Sequence, residues 1–216
     1  MGMGKFWLAG FAGVAAALFA ASASAAPVPP DEVVKETTSR LQNEIHQREK
    51  EFRADPKKLY AFVDRVIVPK FDSRYIAQLI LARHWRTATE DQRARFEVAF
   101  KNMLVYSYAD ALVEYHNSVK AEWQPLRMAP DAKDVTVQSK LLRSNGKPPL
   151  PIGFAMRLKG DEWKVYDIII ENLSLITSFR SQINSEIKRT SLDALIRKLE
   201  GGQTIVPPVG SKSTEG

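Results

Sequence analysis

The chain contains no cysteine. Disulfide staples, zinc–cysteine sites and thiol nucleophiles are thereby excluded. Histidine is nearly as scarce, with only His46, His84 and His116. None of the three stands at a metal-ligand spacing, and each lies beside charged or polar residues on a helical stretch, so ordinary surface side chains are expected. No glycine-rich loop follows a strand and opens a helix, which removes the phosphate-cradle motifs. A G-x-S-x-G elbow is missing as well, and so is a lysine–serine pair in a recognisable context. Past residue 26 there is no long uncharged apolar run, and no internal repeat.

The one such run is at the start. Met1 to Lys5 is short and weakly basic, Phe6 to Ala20 is apolar without charge, and "ASASAAP" follows. Small residues at Ala23 and Ala25 suit signal peptidase, and the run is too short for a spanning helix. Residues 1–25 therefore read as a cleaved signal peptide, with a retained anchor as the alternative. No cysteine stands at the cut to accept a lipid. About 190 residues remain, enough to bury a core without staples, and they suggest one domain over residues 26–202. Residues 203–216, "QTIVPPVGSKSTEG", lack a periodic face and read as a disordered tail.

Acidic residues are outnumbered, 25 against 31 Lys and Arg, giving a formal charge of +6. A basic surface suits anionic partners, and an exported chain has little access to nucleic acid. Lipid headgroups or acidic envelope proteins fit better, beside the alternative of a solvated, mixed-sign surface. "DPKK", "RHWR" and "EIKR" are charge clusters of this kind.

What is present divides into two periods. The first half is helical. Pro30 and an Asp31 cap open one helix, Asp55-Pro56 opens a second that Pro69 stops, and Asp72 caps a third. Thr89 and Gln92 make a capping box for the longest, whose stripe is Phe96, Phe100, Leu104, Tyr108, Leu112 and Tyr115. The second half alternates. "SVKAEWQPL", "DVTVQSKLL", "LPIGFAMRLK" and "DEWKVYDIII" read as strands of an antiparallel meander, with Val135 and Val137, then Ile152, Phe154 and Met156, pointing one way. Ser174 then starts a helix, and a last one around Leu192–Leu199 ends at Gly201-Gly202. Helices set against one antiparallel sheet make an α+β fold.

The last strand is unusual. Strict alternation puts Trp163, Val165 and Ile169 on one face and Tyr166, Ile168 and Ile170 on the other, so both faces are apolar and both need cover. Asp167 then shares the Trp163 face. It reads either as a structural acceptor or as a pocket base of raised pKa, as in small α+β isomerases and hydratases, with Tyr166 beside it. The helices carry more large apolar residues than a small sheet face needs; plain core accounts for them by default, and a lipid-sized cavity is the alternative.

Three stretches carry a family resemblance: "FDSRYIAQLILARHWRTATEDQRARFEVAFKNMLVYSYADALVEY", "NGKPPLPIGFAMR" and "WKVYDIIIENLSLITSFRSQI". In this order, after a signal peptide, they resemble the MlaC family of periplasmic phospholipid shuttles, also known for toluene tolerance. Asn172 departs from the small, glycine-like residue expected in the turn. The resemblance implies an NTF2-like cone with an antiparallel or mixed sheet of about four strands and helices closing a deep apolar cavity. It implies a monomeric carrier without catalysis or cofactor, whose cargo is phospholipid. Its partners would be an outer-membrane lipoprotein–porin complex and an inner-membrane ABC transporter with an MCE-domain ring, and its role would be to maintain outer-membrane lipid asymmetry. Large apolar residues on the faces above then become lining candidates: Ile76, Leu79, Leu104, Tyr108, Val137, Phe154, Met156, Tyr166, Ile168 and Phe179. An isomerase or hydratase using Asp167, or a ligand-free periplasmic adaptor, are the alternatives.

Overall fold

A computed structural model describes residues 27–144 and 146–205. The leader and residues 206–216 of the tail lie outside the described residues. Seven α-helices occupy more than half of the described residues: α1 (Pro30–Ala54), α2 (Pro56–Val66), α3 (Ser73–Leu81), α4 (Arg83–Thr87), α5 (Glu90–Tyr115), α6 (Leu175–Arg189) and α7 (Leu192–Glu200). Their starts follow the capping chemistry. Asp55 accepts from the Lys57 amide at 3.1 Å and Asp72 from Tyr75 at 3.4 Å. Thr89 and Gln92 complete the box at 3.1 and 2.9 Å. The first helix differs from expectation: Pro29 is its N-cap, and Asp31 sits in the first turn paired with Lys35 at 2.6 Å.

The sheet has five strands, β1 (Val119–Trp123), β2 (Asp134–Arg143), β3 (Leu150–Lys159), β4 (Glu162–Ile170) and β5 (Leu173–Ser174), in consecutive order. Every pairing is antiparallel, so the sheet is a meander with one short strand more than the sequence suggested. The β4–β5 turn places Glu171 and Asn172 at φ 49° and 66°. This two-residue hairpin loop has left-handed residues at both centres, a conformation asparagine tolerates better than most residues, so it serves where glycine was expected.

The apolar core comes in three parts. Helices α3, α5, α6 and α7 share one, built around Phe96, Phe100, Phe179 and Ile183. Helices α1, α2 and α5 share a second, built around Phe52, Leu59 and Phe62. The third lies on the sheet, where Val137, Met156, Trp163 and Val165 bury Val34 of α1. Helix α1 thus belongs to two cores, with Val34 on the sheet and Ile45 and Phe52 on the bundle. Ile205, at the start of the tail, packs on the first core and donates its amide to Met103 Sδ at 3.2 Å.

His116 departs from the surface role expected of it. Its side chain is only 4% exposed, and Nδ1 lies 2.8 Å from the Val113 carbonyl, which puts the ring proton on that nitrogen. Periodicity could not reveal this, because the burial comes from α1 crossing the end of α5.

Ion pairs link the helices. Arg95 donates two bonds to Glu200 at 2.9 and 2.8 Å, tying α5 to α7, and Lys198 meets Glu186 at 3.0 Å, tying α7 to α6. Arg48 and Lys58 hold the Glu51 carboxyl down to about 2. Arg95 lowers Glu200, and Arg189 with Lys198 lowers Glu186. Groups depressed on folding contribute stability above their unfolded value, near 4.5, and lose it as pH falls through the folded value. Thermal melts should therefore show Tm level from pH 7 to about 5 and declining below about 4.5. A Tm unchanged at pH 3 would contradict these pairs.

One backbone position is strained. Ala82, between α3 and α4, adopts φ 48° and ψ −113°, a region that side-chain-bearing residues avoid. Ala82→Gly is expected to stabilise the protein by about 1 kcal/mol, net of glycine's larger chain entropy. The measurement is a urea midpoint; a lower midpoint would show that the strain is not real.

Candidate functional site

The candidate site starts from the register of the sheet. Val137, Phe154 and Ile168 stand side by side across β2, β3 and β4, and so do Ser139, Ile152 and Ile170. Partners across a ladder share a face, so these rows and the Val135–Met156–Val165 row form one apolar surface. The opposite surface carries Glu122, Asp134, Gln138, Lys140 and Arg157 and is the wet one.

Strict alternation misassigned β4. The register shifts between Ala155 and Met156: Met156 faces Val165, Ala155 faces Asp167, and Tyr166 is the extra residue. A bulge lets two residues oppose one and reverses the alternation beyond it. Trp163 and Val165 before the bulge therefore share the apolar face with Ile168 and Ile170 after it. Asp167 belongs with Ala155 and the polar face, not with Trp163. Four of the strand's large apolar residues, Trp163, Val165, Ile168 and Ile170, thus share one face, and Ile169 stands on the other.

Cover on that face runs out along its length. Val137, Met156, Trp163 and Val165 are buried under Val33 and Val34 of α1 and beside Phe71. Phe154 and Ile168 are half-buried at the margin, with the Trp123 ring 5.9 Å from Phe154. Beyond them Ile152, Ile170 and the Leu141–Leu150 pair are half-buried, yet none belongs to any of the three cores. Four large aliphatic side chains thus continue the apolar face past the three cores.

The ten lining candidates do not all converge here. Val137, Phe154, Met156 and Ile168 do. Ile76, Leu79 and Leu104 pack half-buried on the bundle core, and Phe179 lies within it, edge-on to Phe100 at 5.0 Å. Tyr108 is 36% exposed on α5, with burial of its ring pushing the phenol pKa up. Tyr166 is directed elsewhere, its hydroxyl 3.0 Å from Asp134 and its ring 5.5 Å from Tyr75. Burial and the Asp134 carboxylate push that phenol up to about 12. Leu141, Leu150, Ile152 and Ile170 were absent from the ten. Alternation outward from Val137 and Phe154 would have found the first three.

Asp167 is occupied structurally. Its carboxylate accepts from Ser174 Oγ at 2.5 Å and from the Ile176 amide at 3.0 Å, fixing the start of α6 to β4. Asp72, 4% exposed, caps α3 and pairs with Lys159 at 2.9 Å. Two surface hollows are also present, about 390 Å³ between α3–α4 and α6 and about 460 Å³ between α5 and α7. Neither contains any of the ten residues. Among the described residues no cluster of three metal-ligating side chains occurs, and no helix is long and apolar enough to cross a membrane.

Known proteins are similar to most of this chain. The family model described as MlaC protein matches residues 35–201. The toluene tolerance protein ttg2D of Pseudomonas putida is 30% identical over 165 residues, 76% of this chain and 75% of its own length. The intermembrane phospholipid transport system binding protein MlaC of Haemophilus influenzae is 22% identical over 198 residues, 91% of this chain and 92% of its own. A solved structure, the phospholipid-binding protein from Ralstonia solanacearum in complex with a phospholipid, superposes with a TM-score of 0.73 at 28% identity. That match covers 81% of this chain and 97% of the other.

Proposed function

The chain belongs to the MlaC family, and from that premise we propose that it is a periplasmic phospholipid carrier whose acyl tails lie on the unpacked end of the apolar sheet face. The observation that carries this reading is the continuation of that face, through Ile152, Ile170, Leu141 and Leu150, beyond every core of the protein. Surface of this kind is retained for a ligand. The division of the core into sheet and bundle parts, with α1 common to both, leaves a seam for tails to fill. We assign the half-buried Ile76, Leu79 and Leu104 of the first core, with the more exposed Tyr108, to its bundle side. The Ralstonia solanacearum relative, solved with a phospholipid, supports the same cargo.

Energetics fit transport better than storage. Two acyl chains offer roughly thirty methylenes at about 0.8 kcal/mol each, a gross figure of about 24 kcal/mol that exceeds any net affinity. The relevant exchange is with a bilayer or a partner's cavity, where the tails are already dry. Transfer is then close to balanced, and docking can tip it. The leader delivers the carrier to the periplasm, and the family role places it between the outer-membrane lipoprotein–porin complex and the inner-membrane ABC transporter. An isomerase built on Asp167 loses support because that carboxylate is bonded to the α6 start.

Native mass spectrometry of protein purified without detergent tests the cargo. The expected mass exceeds the polypeptide by bound phospholipid that organic extraction recovers. A clean apo mass, with no uptake from phospholipid vesicles, sinks the carrier reading.

A further inference from the structure

Among the charge clusters of the sequence, "RHWR" has no part in the lipid site. Its first residue, Arg83, forms one wall of the hollow of about 390 Å³, and Thr177, Arg180, Ser181 and Asn184 of α6 form the other. Leu81 and Ala82 make the floor, with Ala82 in the strained conformation described above. Arg83 donates to Asn184 Oδ1 at 3.0 Å, and His84 Nε2 lies 3.1 Å from the same oxygen. Arg180 donates through Nε to the Leu79 carbonyl at 2.8 Å, which fixes its guanidinium.

The charge on these walls is unbalanced. Arg74, Arg93, Arg95, Arg157 and Arg189 all meet a carboxylate. Among the described residues no carboxylate pairs with Arg83 or Arg180. Two guanidiniums, each oriented by a neutral acceptor, therefore flank a small crevice with an aliphatic floor. We propose that this crevice is a docking surface for an acidic protein segment, one that inserts an apolar side chain between Arg83 and Arg180.

Shape selects the class of partner. A bilayer surface is flat and cannot fill a concave floor, whereas one protruding aliphatic side chain can. A free phosphate would need several donors converging on it. The Ala82 and Trp85 amides are already spent on Gln78 and Ala82 carbonyls at 2.9 and 3.2 Å. Carboxylates beside the inserted side chain complement the guanidiniums, which raises the encounter rate and fixes orientation. The crevice shares no residue with the apolar sheet face, so partner docking and lipid content are separable.

The test uses the blocked pentapeptide EDLED as probe, followed by amide NMR of the full mature chain. The expected result is saturable shifts from about 1 mM peptide at Leu81 to His84 and at Thr177 to Asn184. Ser181→Trp, at an exposed position, should fill the crevice and weaken binding at least tenfold while Tm and bound lipid stay unchanged. Arg83→Ala should weaken it severalfold, and EDSED, which lacks the aliphatic side chain, at least tenfold. The proposal fails if EDLED produces no shifts, if EDSED binds equally, or if Ser181→Trp has no effect. It fails also if the same resonances respond to phosphatidylglycerol vesicles or inorganic phosphate instead, which would assign the crevice to a headgroup or a free anion.

Discussion

Ile152→Asp is expected to empty the protein of phospholipid while leaving its fold in place. Ile152 stands in the row with Ser139 and Ile170, half-buried and outside all three cores, so a polar replacement there disturbs little of the protein's own packing. Against acyl tails the same carboxylate is costly. A polar group facing hydrocarbon without a partner costs about 3 kcal/mol, roughly a hundredfold in affinity. Lipid extracted per mole of purified protein is the measurement, with far-UV circular dichroism as the control for folding. Ile170→Asp should behave alike. Gln138→Asp and Ile169→Asp, both in the Gly153 row of the other face, should retain their lipid. This set also tests the bulge, because strict alternation in β4 separates Val165 from Ile168 and Ile170. If Ile169→Asp loses lipid and Ile170→Asp keeps it, the register is wrong and the site lies on the other face.

Much of the architecture was legible because it rests on local chemistry. Thr89 and Gln92, Asp55, Asp72 and Ser174 are side chains that bond the first amides of the helices they open, and such bonds depend on spacing alone. The meander was legible for a similar reason, since period-two runs separated by "SNGKP" and "GDE" leave few other arrangements. The bulge was not legible. It arises from the fit of β4 against β3, and one extra residue at Tyr166 puts Trp163 and Val165 on the face of Ile168 and Ile170, from which strict alternation separates them. Tyr166 entered the lining set through that error of phase. Ile152 and Leu150 lie on the face that alternation from Phe154 assigns, but whether that end of the face is covered depends on where α1 lands, which no strand sequence records. Burial of His116 beneath α1 eluded the sequence for the same cause.

Asp167→Ala should cost the largest share of stability among the polar replacements considered. The carboxylate joins β4 to α6 through two bonds, from Ser174 Oγ and the Ile176 amide, at a helix start where negative charge is favoured. Ser174 also accepts from the Thr177 amide at 3.0 Å, so the cap and the carboxylate form one chain of bonds. Removing a charged acceptor from two donors should cost about 2–3 kcal/mol, which for a chain of this size lowers Tm by roughly 5–10 °C. Asp167→Asn keeps one acceptor for the Ile176 amide and should cost about 1 kcal/mol. Ser174→Ala should cost about as much, as for other lost caps. Because both residues serve the same helix start, the double variant Asp167→Ala, Ser174→Ala should cost less than the sum of the two, with a coupling of about 1 kcal/mol. Urea unfolding of the four variants and the unsubstituted protein measures these differences. A base in a pocket would show the reverse pattern: Asp167→Asn would leave stability unchanged or improved, and the two residues would be additive. That result would return Asp167 to the search for chemistry, whereas the coupled loss would establish it as the joint on which α6 is set.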